Sequence, residues 1–155
     1  MVRQLWFLRH GEAEPHDARA DAERRLTERG EDQSRAAGRA LAALGLEFQL
    51  VVSSPRVRAL DTARLACDGL RCEPVVEDCL GDGFDADDAL ELAFAAGADK
   101  RVLFVGHNPH LPQIVHDLTG CRLELKKGGV AGVRLHGRHG ELMVLLRPRE
   151  LDRIG

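Results

Sequence analysis

The sequence predicts an α/β fold in three layers, a mostly parallel central sheet with helices on both faces. Three observations lead there. Short apolar runs at 5–8, 48–52 and 101–105 have the length of strands. The segments between them carry helical spacing and clear start and stop signals. Strand and helix alternate through the first two-thirds of the chain, the pattern of a parallel sheet wrapped by crossover helices.

Leu5-Trp6-Phe7-Leu8 is apolar at every position and not only at every second one, which suits a strand covered on both faces. Residues 12–25 are polar, contain Pro15, and read as an irregular loop beside that strand's end. Thr27 is an N-cap for a helix running to about residue 44, with Ala37, Ala40, Leu41 and Leu44 on one face and Gly45 as its stop. After the second strand, Ser54-Pro55 predicts a serine cap followed by a proline in the first helical position. That helix carries Ala59, Ala63, Ala66 and Leu70 and ends near Gly69. Residues 74–76 form a short strand and 77–88 an acidic loop. A helix over 85–96 ends at Gly97. The strand at 101–105 leads into Asn108-Pro109, again read as cap and first position, opening a helix to about residue 119. The alternating, glycine-containing stretch from 123 to 146 predicts two or three strands with a hairpin turn near 137–140.

Residues 1–155 suffice for a single domain with a sizeable core. A net charge of −3 argues against general nucleic-acid binding. No stretch approaches the length needed to span a bilayer, and the apolar run at 5–8 is too short for a signal peptide, so the expectation is a cytoplasmic protein without a membrane. Cys67, Cys72, Cys79 and Cys121 form no C-x-x-C pair and read as reduced, partly buried thiols, with Cys67–Cys72 and Cys72–Cys79 pairings left open. Trp6 reads as a core residue.

Three strand ends look alike. The first closes in Arg9-His10-Gly11, the second in Ser53-Ser54-Pro55 with Arg56 and Arg58 just beyond, and a later one in Gly106-His107-Asn108-Pro109. Strand ends of a parallel sheet share one edge, where ligands bind. Two imidazoles, two or three guanidinium groups and two helix N-termini would then surround one crevice suited to a phosphoryl dianion. Arginine grips phosphate oxygens with two donors, and a neutral imidazole is a competent nucleophile toward phosphorus. Nearby cations oppose protonation of that imidazole.

Leu8-Arg9-His10-Gly11, residues 53–63 (SSPRVRALDTA) and Val105-Gly106-His107-Asn108-Pro109 together resemble the histidine phosphatase superfamily, with its phosphoglycerate mutase-like fold. Leu26-Thr27-Glu28-Arg29-Gly30 and the short chain look like its small phosphohistidine phosphatase (SixA-type) branch. The resemblance runs from about residue 3 to about residue 146. It implies that His10 is a nucleophile transiently phosphorylated, that Arg9 and Arg58 bind phosphate, and that His107 is the second pocket histidine, also binding phosphate. Arg56 stands at a variable position of the motif and is expected to face solvent. The family uses neither a metal nor an organic cofactor. Many members use a carboxylate to protonate the leaving group. At the corresponding place this chain reads Glu77-Asp78-Cys79-Leu80, which makes Glu77 and Asp78 candidate general acids, with Glu12, Glu14 and Asp17 as further candidates.

The remaining histidines, 16, 110, 116, 136 and 139, read as surface or structural, with His110 near the pocket rim. Lys126-Lys127 reads as a solvated turn that could alternatively meet an acidic partner or a phosphate. Asp82, Asp85, Asp87 and Asp88 lack EF-hand spacing and read as loop and helix-start charge. The function expected is removal of phosphate from phosphohistidine on a signalling protein. The alternatives are a phosphatase of small phosphomonoesters and a non-catalytic phosphate-binding module.

Overall fold

The computed structural model of the protein describes residues 3–155. At its centre lies Gln4–Arg9 (β1), whose Leu5, Trp6, Phe7 and Leu8 are all buried. β1 pairs in parallel with Arg101–Gly106 (β4), β4 with Leu50–Ser53 (β2), and β2 with Val75–Val76 (β3). On its other side β1 pairs antiparallel with Val130–His136 (β5), which turns at Gly137 into His139–Leu146 (β6). The order is β3-β2-β4-β1-β5-β6, and only β5 runs against the rest.

Successive strand side chains point to opposite faces, and β1 shows why it needs four apolar residues in a row. Leu5 and Phe7 join a core with Leu90 and Ala93 of Ala86–Ala96 (α3) and Ile114 and Val115 of His110–Thr119 (α4). Trp6 and Leu8 join a second core with Ala37 and Leu41 of Glu28–Ala43 (α1), Ala63 of Val57–Leu70 (α2) and Leu151 of Pro148–Ile154 (α5). The three-layer sandwich follows. No described helix is long and apolar enough to cross a membrane.

Several local expectations hold. The Thr27 side chain accepts from the Gly30 N–H at the start of α1. Asp85 caps α3 in a reciprocal pair with Asp88, and Asp87 pairs with Arg138, so these aspartates are helix-start and loop charges. The four cysteines are free thiols, with the Cys67 and Cys72 sulfurs in contact at 3.3 Å.

Others are corrected, for tertiary reasons. α2 begins at Val57 with Arg56 at the cap position, not at Pro55. The Ser54 hydroxyl is engaged with His107 Nε2 at 2.8 Å and also accepts from the Arg56 N–H, which holds Ser54 at the pocket. α4 begins at His110 with Pro109 at its cap, because the Asn108 amide donates instead to the Leu125 carbonyl. β2 starts at Leu50; Phe48 packs its ring edge-on to Trp6. The expected end of α2 near Gly69 holds, with Leu70 its last residue and Arg71 beyond it in the left-handed region. Residues 12–25 are not irregular throughout: Ala13 bridges to Leu26, and Asp21–Glu23 forms a 3₁₀ turn. Another 3₁₀ turn, Asp78–Leu80, sits within the acidic loop. α5 was not expected at all.

Two glycines set how closely α1 approaches the end of β1. A Cβ on Gly30 would lie 2.0 Å from the Glu12 carbonyl oxygen, and one on Gly11 would lie 2.5 Å from the Gly30 carbonyl oxygen. Only hydrogen fits at either position.

Candidate active site

The sheet register assembles the site. Arg9 stands opposite Gly106 and Ser53 opposite Val105. His10, Ser54 and His107 are therefore each one residue past the end of three adjacent parallel strands. The His10 and His107 rings face each other across 5.3 Å between centroids. Both are buried, at 7% and 4% exposure.

The His10 tautomer is set by its neighbour. Its Nδ1 lies 2.7 Å from the Gly11 carbonyl oxygen. A carbonyl only accepts, so Nδ1 carries the proton and Nε2 keeps its lone pair. Burial pushes the His10 pKa down to about 3; the Gly11 carbonyl opposes this, and the Arg58, Arg9 and Lys127 charges push further down. Burial likewise takes His107 to about 3, assisted by His10, Arg58, Arg56 and His110. Both rings are therefore neutral at pH 7. His107 Nε2 meets the Ser54 hydroxyl, and its buried Nδ1 has no partner among the described residues.

Two guanidinium groups flank the rings. Arg9 Nη1 donates to the Leu125 carbonyl, and Arg58 Nη1 donates to the Asp21 backbone carbonyl at 2.7 Å. The Nε atoms of both are buried and unpartnered. Burial lowers both arginine pKa values, from a starting point so high that each stays cationic. Two fixed cations and unused buried donors beside a bare imidazole nitrogen form a site that can bind a phosphoryl dianion and attack it.

Four expected residues, Arg9, His10, Arg58 and His107, are thus brought together at the strand ends. Glu77 and Asp78 do not join their contacts: Glu77 is half-buried just past β3, its backbone N–H donating to the Ser53 carbonyl, and Asp78 is exposed. Glu12 Oε2 accepts from the Thr27 hydroxyl, Glu14 pairs with Arg19 and accepts from the Arg25 N–H, and Asp17 is exposed. Arg56 is not free in solvent. It pairs with Asp21 at 3.2 Å.

Asp21 is what the sequence concealed. Its carboxylate meets Arg24 at 3.0 Å, Arg56 at 3.2 Å and Arg58 at 3.3 Å. Burial pushes its pKa up, but Arg24 and Arg58 outweigh that and hold the carboxyl below its ordinary range. Thr62 was also missed as a site residue. Its hydroxyl donates to the Arg58 carbonyl at 2.7 Å and accepts from the Gly11 N–H at 3.1 Å, tying the Arg58 helix to the residue after His10. Its spacing of four from Arg58 on one helix was the available signal. Asp21, 37 residues before Arg58, offers no comparable one.

Residues 5–83 match the model of the histidine phosphatase superfamily, branch 1. The chain belongs to that superfamily. An uncharacterized protein of Picosynechococcus sp. is 35% identical over 139 residues, 84% of each chain. The structure of the protein histidine phosphatase SixA complexed with tungstate superimposes with a TM-score of 0.85 at 29% identity, covering 96% of this chain and 99% of that one. A phosphoserine phosphatase of Entamoeba histolytica, solved with phosphoserine, shares the fold at a TM-score of 0.78 and 16% identity over 97% of this chain and 100% of its own. This histidine phosphatase is of the SixA type, and its chemistry is that of a phosphatase.

Proposed function

We propose that this histidine phosphatase hydrolyses phosphohistidine carried by a protein, through a phosphorylated His10. The observation that carries the reading is the His10 ring itself: its proton is held on Nδ1 by the Gly11 carbonyl, and its Nε2 is bare in the field of the half-buried Arg9 and the buried Arg58. In the first step Nε2 attacks phosphorus, and the bond to the substrate imidazole breaks with its electron pair leaving on that imidazole, which takes a proton from solvent. Arg9, Arg58 and the His107 Nδ1 hold the equatorial oxygens. In the second step water attacks the phosphorus on His10, releasing orthophosphate and restoring the ring.

The carboxylates favour a phosphoramidate over an ester. An alkoxide leaving group needs an acid, whereas a phosphohistidine imidazole departs more readily. The carboxylate nearest the pocket cations, Asp21, is held ionised by its arginines. Glu14, depressed chiefly by the Arg25 N–H, is held ionised as well. The similarity to a protein histidine phosphatase SixA adds support. The test is to offer the protein a phosphohistidine protein and an alkyl phosphate monoester, phosphoserine, in parallel, with His10→Ala as control. Turnover of the first, much faster than of the second and abolished in the variant, is expected. Equal or faster turnover of the ester would instead make this a phosphomonoesterase, and binding of phosphate without turnover a recognition module.

A further inference from the structure

Beside the pocket lies an open cleft of about 520 Å³ lined by Arg9, Arg29, Lys126, Lys127, Arg147 and Arg149. Its walls come from the end of β1, the first turn of α1, the 124–127 loop and the start of α5, so folding gathers the charge from distant segments. Two carboxylates line it as well: Glu124, paired with Lys126 at 2.8 Å, and Glu12, bonded to the Thr27 hydroxyl. Glu150 takes up Arg147 and Arg149 from the side. The cleft still holds a cationic excess, on a chain whose net charge is −3. Two of the three lysines in the chain are in it. Arg29 and Lys127 are exposed and form no ion pair among the described residues.

Arg9 is the shared wall. It lines the cleft while its charge acts on His10, and Lys127 does the same. An anion in the cleft would therefore be contiguous with a phosphoryl group on His10. We propose that this cleft is a second anion subsite, which takes acidic side chains flanking the phosphohistidine of the substrate protein. The inference rests on the phosphohistidine reading above. A nucleic acid is the poorer fit, since no aromatic side chain lines the cleft for base stacking.

The test compares two phosphohistidine peptides of equal length, one with Asp and Glu flanking the phosphohistidine and one with Ser and Gly. Hydrolysis of neither peptide would remove the phosphohistidine reading on which the inference stands. If the neutral peptide is hydrolysed, the acidic one is expected to show about tenfold higher kcat/KM at low salt, with the preference shrinking as salt shortens the reach of the charges. In an Arg29→Gln, Lys126→Gln, Arg149→Gln variant, all three sites being exposed, the preference is expected to fall to about threefold or less. The native preference also falls when an unphosphorylated acidic peptide competes. Equal kcat/KM for the two peptides in the native protein, or an undiminished preference in the variant, overturns the proposal. A nucleoside triphosphate competing at lower concentration than the acidic peptide overturns it in favour of a small polyanion.

Discussion

Acidification from pH 7 to pH 5 is expected to cost the fold roughly 4 kcal/mol through His10 and His107 alone. In the folded protein both rings resist protonation down to about pH 3. In the unfolded chain they protonate near the ordinary histidine value of about 6.5. Between those limits the unfolded state binds more protons, so stability is fully present above the unfolded pKa and is lost as pH falls toward the folded one. For each ring, the change in unfolded-state proton binding between pH 7 and pH 5 is worth about 1.9 kcal/mol. The figure is governed by the unfolded imidazoles, because both native values lie well below pH 5. The assay is urea denaturation at the two pH values, comparing the native protein with a His10→Asn, His107→Asn double variant. The difference of differences cancels every other titrating group. It is expected near 4 kcal/mol, with each single variant giving about half. Equal pH sensitivity in the native and double-variant proteins would refute the claim that these rings are buried and neutral.

Asp21→Asn removes the carboxylate that competes for Arg58 Nη2 while keeping the backbone carbonyl that holds Nη1. Vanadate or phosphate inhibition is expected to tighten about three- to fivefold, the equivalent of roughly 0.7–1 kcal/mol for a half-exposed ion pair; weaker inhibition would mean that the carboxylate positions Arg58 and does not compete. Thr62→Val keeps the shape but leaves the buried Gly11 N–H without its acceptor. Chemical denaturation is expected to show a loss of about 1–3 kcal/mol, and no loss would mean that the tie carries no energy.

What could be read from the chain alone follows from the range of the forces involved. β1 and the cap of α1 are local, carried by four adjacent apolar residues or by a cap and its third neighbour. Arg9, His10 and His107 of the site were legible because they stand at the ends of apolar runs, and Arg58 because it follows the second such run in the first turn of the next helix; parallel strand ends must share an edge. The start positions of α2 and α4 were displaced because Ser54 and Asn108 bond across the pocket to His107 and Leu125, and no local signal reports such partners. α5 was invisible for a related reason. Its seven residues bury Leu151 against a core that only the folded chain provides. Asp21 and the basic cleft depend wholly on which distant segments meet.

The most direct measurement is to trap the covalent intermediate. The native protein is exposed briefly to a ³²P-labelled phosphohistidine protein, quenched without acid, digested and mapped. Label on His10, and none when His10→Ala is used, is the expected result. Label on another residue, or turnover that persists in the variant, would contradict the account.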